Sequence, residues 1–204
     1  MQDLIWAIPG LLVAITVHEY AHGRMAYQLG DPTAAHAGRL TLNPLSHLDP
    51  LGALMFWIFR FGWAKPVPVN PAYFADPRRG ILLVSAAGPA ANFITAFALV
   101  LVMTALPLGM LGDAVGRILL LGVWYNIFLG LFNLIPIPPL DGSKILESLL
   151  PRSFSPVMVQ LNAYGWIILI LLIYLGAFGR VLMPLANGIF SSMATVARLL
   201  MGGF

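Results

Sequence analysis

The sequence predicts an all-α integral membrane protein with about five transmembrane helices, a re-entrant segment and short membrane-associated β-strands. Three observations carry that expectation. Of 204 residues, 59% are hydrophobic and only 9% charged, and the mean hydropathy is +0.87; a soluble domain carries about 25% charged residues. Several apolar stretches approach or exceed the ~20 residues that cross a hydrocarbon core, where helices satisfy their own backbone groups. The basic residues fall unevenly between the loops that those stretches define, as the positive-inside rule requires. A net charge of +3 spread in this way gives no nucleic-acid footprint, so no nucleic-acid partner is expected. With no cysteine in the chain, any metal must be held by His, Asp or Glu.

The first apolar segment covers about 4–29 and is stopped by Gly30 and Pro32 in "LGDP". Its start, "MQDLIWAIPG", lacks the basic beginning of a secretory signal and reads as a retained helix. The following "TAAHAGRLTLNPLSHLDPLG" is rich in turn formers, and its alternating "GRLTLNP" predicts a strand near 39–43. "LGALMFWIF" is too short to cross and runs into Arg60 and Gly62, which favours a re-entrant or protein-buried segment. "GWAKPVPVNP" predicts a second strand near 65–70. There Pro66 and Pro68, two residues apart, withdraw N–H groups from one edge and leave Val67 and Val69 to pair along the other. Spans at 81–106, 115–135, 157–175 and 181–200 complete five crossings. With the N-terminus outside, nine basic residues, Arg24 and Arg39 through Arg198, fall on the cytoplasmic side and only Arg117 and Arg180 outside. The C-terminus is then cytoplasmic.

Inside the first apolar segment stands "ITVHEYAHGR" at 15–24. His18 and His22 are four residues apart, so a helix projects both rings from one face, one turn apart. Glu19 follows the first of them. This is the HExxH pattern, in which two imidazoles bind zinc and the glutamate takes a proton from the water activated there. Ionisable side chains within a membrane helix are costly, and three within five positions point to a function. The bland alternative is a helix end wetted by headgroups, against which the helical "MAYQL" continues past the motif.

A catalytic zinc usually has three protein ligands. His36 and His47 qualify by chemistry but lie in the turn-rich region. Asp141 lies in "NLIPIPPLDGSKIL", where prolines 136, 138 and 139 must break the helix, and broken backbone at membrane depth lines enclosed cavities. The five-crossing topology returns Asp141 to the same inner half of the membrane as the histidines. An N-cap for the helix that follows is its other possible role. Asn92, Asn126 and Asn133, with Gly88, either line a water path or pack helices closely.

Taken together, "HEYAH", "GPAAN" at 88–92 and "NLIPIPPLDG" at 133–142 resemble the motifs of the site-2 proteases, zinc metalloproteases that cut peptide bonds within membranes. The resemblance covers most of the chain and is to the compact bacterial type without PDZ or CBS domains. It implies one Zn2+ per chain held by His18, His22 and Asp141, with Glu19 as catalytic base. It also implies that Asn92 and Asn133 help to position substrate or backbone. The chain 1–204 then reads as one transmembrane metalloprotease domain, with a catalytic core at about 4–150 and a C-terminal helix pair at about 157–200. Its expected partners are the lipid bilayer and a membrane-embedded protein substrate, a single-span helix or signal-peptide remnant. A substrate helix hides its carbonyls in hydrogen bonds, so the strands near 39–43 and 65–70, with Val67 and Val69, are expected to receive it unwound by β-augmentation. The competing class is a membrane zinc transporter or zinc-binding protein without proteolytic activity. It would spread ligands along a path and has no use for Glu19.

Overall fold

A computed structural model describes residues 2–59, 62–106 and 108–202. Eight helices are assigned among them: α1 (Gln2–Gln28), α2 (Thr33–His36), α3 (Pro50–Phe59), α4 (Pro77–Ala105), α5 (Leu108–Asn133), α6 (Asp141–Leu149), α7 (Ser155–Tyr174) and α8 (Ala177–Leu200). The boundaries have local causes. Gly30 adopts φ 101° just after α1, a conformation open to glycine and costly for other residues. Asp76 caps α4 by accepting hydrogen bonds from the amides of Arg78 and Arg79, with Pro77 in the first turn. Prolines 136, 138 and 139 end α5 at Asn133 and leave a run of turns as far as Leu140.

Helices α1, α4 and α5 pack on one another, and α6 packs on α4. Glycines set the closest approach: a Cβ on Gly10 of α1 would lie 2.8 Å from the backbone nitrogen of Gly122 in α5. Small residues allow such contacts between helices that share an apolar solvent. Helix α8 packs on α4 and α5. Ala186 and Ala197 from α8 lie in one cluster with Ala96, Val100, Val123 and Ile127, and Phe190 stacks on Trp124 at 5.3 Å between centroids. Helix α7 leaves Val157, Val159, Ile167, Ile170 and Leu171 exposed, as a lipid-facing helix does.

Among the described residues, three helical segments are long and apolar enough to cross a membrane: Pro77–Ala105, Gly112–Asn133 and Ser155–Tyr174. The expected number of five crossings is therefore not reproduced by length and composition. Helix α1 has the length but carries His18, Glu19, His22 and Arg24; α8 carries Arg180 in its first turn and Arg198 in its last. Helix α3 has ten residues, about 15 Å at 1.5 Å per residue, too short to span, as expected; Arg60 lies outside the described residues.

The expected β-strands near 39–43 and 65–70 are corrected: among the described residues there is no strand, only an isolated antiparallel bridge between Leu48 and Ala64. Residues 65–70 instead form an extended strap whose amides find separate acceptors. Lys65 donates to the His47 carbonyl (2.9 Å), Val67 to Glu19 (2.8 Å) and Asn70 to Asp31 (2.7 Å). Pro66 and Pro68 have no N–H, and a ladder has nothing to pair there. Two of the basic residues placed on the cytoplasmic side have protein partners. The Arg39 guanidinium donates to the Lys65 carbonyl at 2.7 Å, and Arg78 bonds the carbonyls of Ser148 and Leu150 at the end of α6.

Candidate metal centre

The helical period brings His18 and His22 together, and the proline break delivers Asp141 to them. His18 Nε2 and His22 Nε2 each lie 3.1 Å from Asp141 Oδ2 and 3.0 Å from each other. The imidazoles meet edge to face, with centroids 4.5 Å apart. His18, Glu19, His22 and Asp141 expose at most 9% of their surface. Asp141 is the first residue of α6, with Leu140 at the cap position; its carboxylate faces the histidines.

The chemistry of this donor set fits a cation. The two other ring nitrogens have acceptors: His18 Nδ1 donates to Asn92 Oδ1 at 2.7 Å and His22 Nδ1 to the Val84 carbonyl at 2.7 Å. Each Nε2 then carries a lone pair, and three lone-pair atoms about 3 Å apart repel unless an ion or proton lies among them. Their spacing is close to the ~3.3 Å edge of a tetrahedron around zinc with bonds of ~2.0–2.1 Å. Second partners that fix the tautomer and aim of metal-binding imidazoles are a regular part of such sites.

Two residues shape this cradle without donating to it. A Cβ on Gly88 would lie 2.5 Å from His22 Nε2 and 2.7 Å from His18 Cε1, so α4 can lie against both rings only with glycine there. Pro89, next in sequence, cannot bond the Ser85 carbonyl, which opens the α4 ladder beside the Val84 carbonyl that His22 uses. A Gly-Pro pair in the middle of an apolar helix was the readable signal for both. Lys144, one turn along α6, places Nζ 3.6 Å from Asp141 Oδ1 while half of its side chain stays exposed.

Glu19 lies beside the cluster, with Oε2 accepting the Val67 amide. Val67 is buried, and Val69 packs on the cluster of Ala26, Phe74 and Val84. Asn92 is fully enclosed. Asn133 bonds back to the Leu129 carbonyl at 3.0 Å and is not among the residues that contact the metal cluster. His36 is exposed at the end of α2. His47 is fully buried and bonds the Thr41 carbonyl at 2.8 Å. Neither is a ligand of this cluster, the one group among the described residues able to hold a metal.

Two imidazoles from one long helix and a carboxylate delivered by the proline break, converging beside a buried glutamate, are the parts of a membrane zinc hydrolase. The sequence profile of peptidase family M50 matches residues 109–175. "Putative zinc metalloprotease YwhC" of Bacillus subtilis (strain 168) is 43% identical over 183 residues, covering 87% of this chain and 84% of that protein. "Putative zinc metalloprotease Rip2" of Mycobacterium tuberculosis (strain ATCC 25618 / H37Rv) is 34% identical over 82% of this chain and 66% of its own length. "Zinc metalloprotease MJ0392" of Methanocaldococcus jannaschii is 26% identical over 76% of this chain and 38% of its own length. No solved structure matches. The chain belongs to peptidase family M50, the site-2 proteases.

Proposed function

We propose that this membrane zinc metalloprotease hydrolyses peptide bonds within or near the transmembrane segments of other membrane proteins, with His18, His22 and Asp141 as zinc ligands and Glu19 as base. The observation that carries the reading is the 3.0–3.1 Å triangle of donor atoms with a carboxylate beside it. Gathered at one level, these groups serve hydrolysis better than a transport path. When bound, zinc supplies Lewis acidity that polarises the scissile carbonyl and makes water acidic enough to ionise near neutral pH.

Glu19 moves the proton. Its Oε2 is anchored by the Val67 amide, which leaves Oε1 to take a proton from the attacking water as oxygen adds to the carbonyl carbon. The same carboxyl returns that proton to the amine nitrogen as the C–N bond breaks, giving a new carboxyl terminus, which keeps the water's second proton, and a free amine. Asn92 holds the His18 ring from behind, so its role is one of aim. The extended strap 65–70 is the surface that receives an unwound substrate: Val67 brings it against Glu19, and Val69 seats it on Phe74 and Val84. Asn133, where α5 gives way to the proline break, helps to position substrate or backbone. The whole chain acts as one domain, multi-pass, with the N-terminus outside, the C-terminus in the cytoplasm and the site nearer the cytoplasmic face.

The test is cleavage of a panel of single-span helices in vesicles by the purified protein and by Glu19→Gln, with zinc measured in both. Products from the wild type alone, at equal zinc, are expected. Equal zinc with no product from any helix, alongside zinc flux across the vesicle, would replace proteolysis with transport.

A further inference from the structure

Behind the metal-facing atoms lies a chain of amides that ends on two backbone carbonyls. Asn92 Oδ1 accepts from His18 Nδ1, and Asn92 Nδ2 donates to the Ala14 carbonyl at 2.9 Å and to Asn126 Oδ1 at 3.0 Å. Asn126 Nδ2 donates in turn to the Gly122 carbonyl at 2.8 Å. Asn92 and Asn126 have no accessible surface, so bulk water does not reach them, and an amide reversed in such a place leaves a buried donor facing a donor.

The direction of every proton in this chain is fixed from its ends. Gly122 offers only an oxygen, so the NH2 of Asn126 must face it and the Asn126 oxygen must face Asn92. Asn92 then presents NH2 on that side, as the Ala14 carbonyl also demands, and turns its oxygen to His18. His18 must carry its proton on Nδ1, which leaves Nε2 bare on the side of Asp141 and His22. We propose that Asn126 is a positioning residue for the metal centre: by orienting the Asn92 amide it sets the tautomer and aim of His18. This rests on the zinc reading above. It links α5 to a ligand on α1 through α4, and no motif in the sequence marks Asn126 for it.

The experiment uses the full-length protein. Ring-nitrogen NMR of 15N-histidine-labelled, zinc-free wild type, well above the imidazole titration range, is expected to show His18 as the Nδ1–H tautomer. The Nε2–H form would overturn the proposal before any variant is made. Asn126→Leu keeps the approximate volume and removes both polar atoms. It is expected to weaken zinc binding about tenfold, as loss of an outer partner does, and to mix the His18 tautomers. Asn126→Thr supplies a hydroxyl that can donate to the Gly122 carbonyl, as Thr95 and Thr104 do to carbonyls four residues back, and accept from Asn92. It is expected to recover most of the affinity and the single tautomer. Wild-type affinity in Asn126→Leu overturns the proposal, as does weak binding with an unchanged tautomer, or a threonine variant no better than leucine; each would reduce Asn126 to packing. A wild type that binds no zinc would instead overturn the metal reading itself.

Discussion

At the scale of single residues, the metal centre depends on what glycine omits as much as on what histidine supplies. Gly88→Ala places a methyl 2.5 Å from His22 Nε2, and either α4 or the two rings must move. Zinc affinity is expected to fall by ~10-fold or more, read by competition with a chelating dye; unchanged affinity would mean the helices separate at little cost. Asp31 makes the opposite kind of contribution. It is fully buried; burial pushes its carboxyl up, yet the hydroxyl of Thr33 and the amides of Asn70 and Thr33 outweigh this and hold it below its ordinary value. A carboxyl depressed in the folded state stabilises above its unfolded pKa of ~3.9 and loses that contribution as pH falls through the depressed value. Asp31→Asn should therefore be less stable than wild type at neutral pH, by ~1–3 kcal/mol, and the gap should begin to shrink below about pH 4 and close as pH falls through the depressed value. A gap that persisted there would assign the effect to shape. His18, Glu19 and His22 were legible because one helix holds all three. Asn126 and the Val67 contact to Glu19 were not, because each partner lies dozens of residues away and no local pattern announces it.

At the scale of elements, helices were readable and the strap was not. The ends of α1, α4 and α5 follow Gly30, Asp76 with Pro77, and the 136–139 prolines, all local signals. Alternation in "GRLTLNP" and "AKPVPVNP" suggested strands, but a strand requires a neighbour, and in residues 65–70 two prolines and side-chain acceptors on Glu19 and Asp31 take that place. The loss of the strand changes what Val67 does: its amide, flanked by prolines on both sides, goes to Glu19. Val67→Pro removes that donor while leaving His18, His22 and Asp141 unchanged. Hydrolysis should fall by about 10²-fold, the scale of a misplaced catalytic group, with zinc content unchanged. Full cleavage by this variant would remove the strap from the mechanism.

At the scale of the whole molecule, α1 and α6 bring the two histidines and Asp141 together, α4 backs them, and α5 packs on α1 and α4. Helix α8 shares its buried alanines with α4 and α5, so the C-terminal pair is unequal: α8 is packed into the core while α7 mainly faces outward, touching the break where Gly165 meets the Pro138 carbonyl. Composition showed the membrane class directly; five crossings are not reproduced by length and composition, because α1 carries His18, Glu19, His22 and Arg24 and α8 carries Arg180 and Arg198. Orientation is open to a simple check in a chain without cysteine. An impermeant thiol reagent should label Asp113→Cys in intact cells and Arg79→Cys only after permeabilisation; the reverse pattern would invert the topology. The most direct measurement is zinc content by mass spectrometry in purified wild type, Glu19→Gln, His18→Ala, His22→Ala and Asp141→Ala. One zinc per chain is expected in the first two and none in the other three, whereas zinc retained at full content in Asp141→Ala would contradict the centre assembled from α1 and α6.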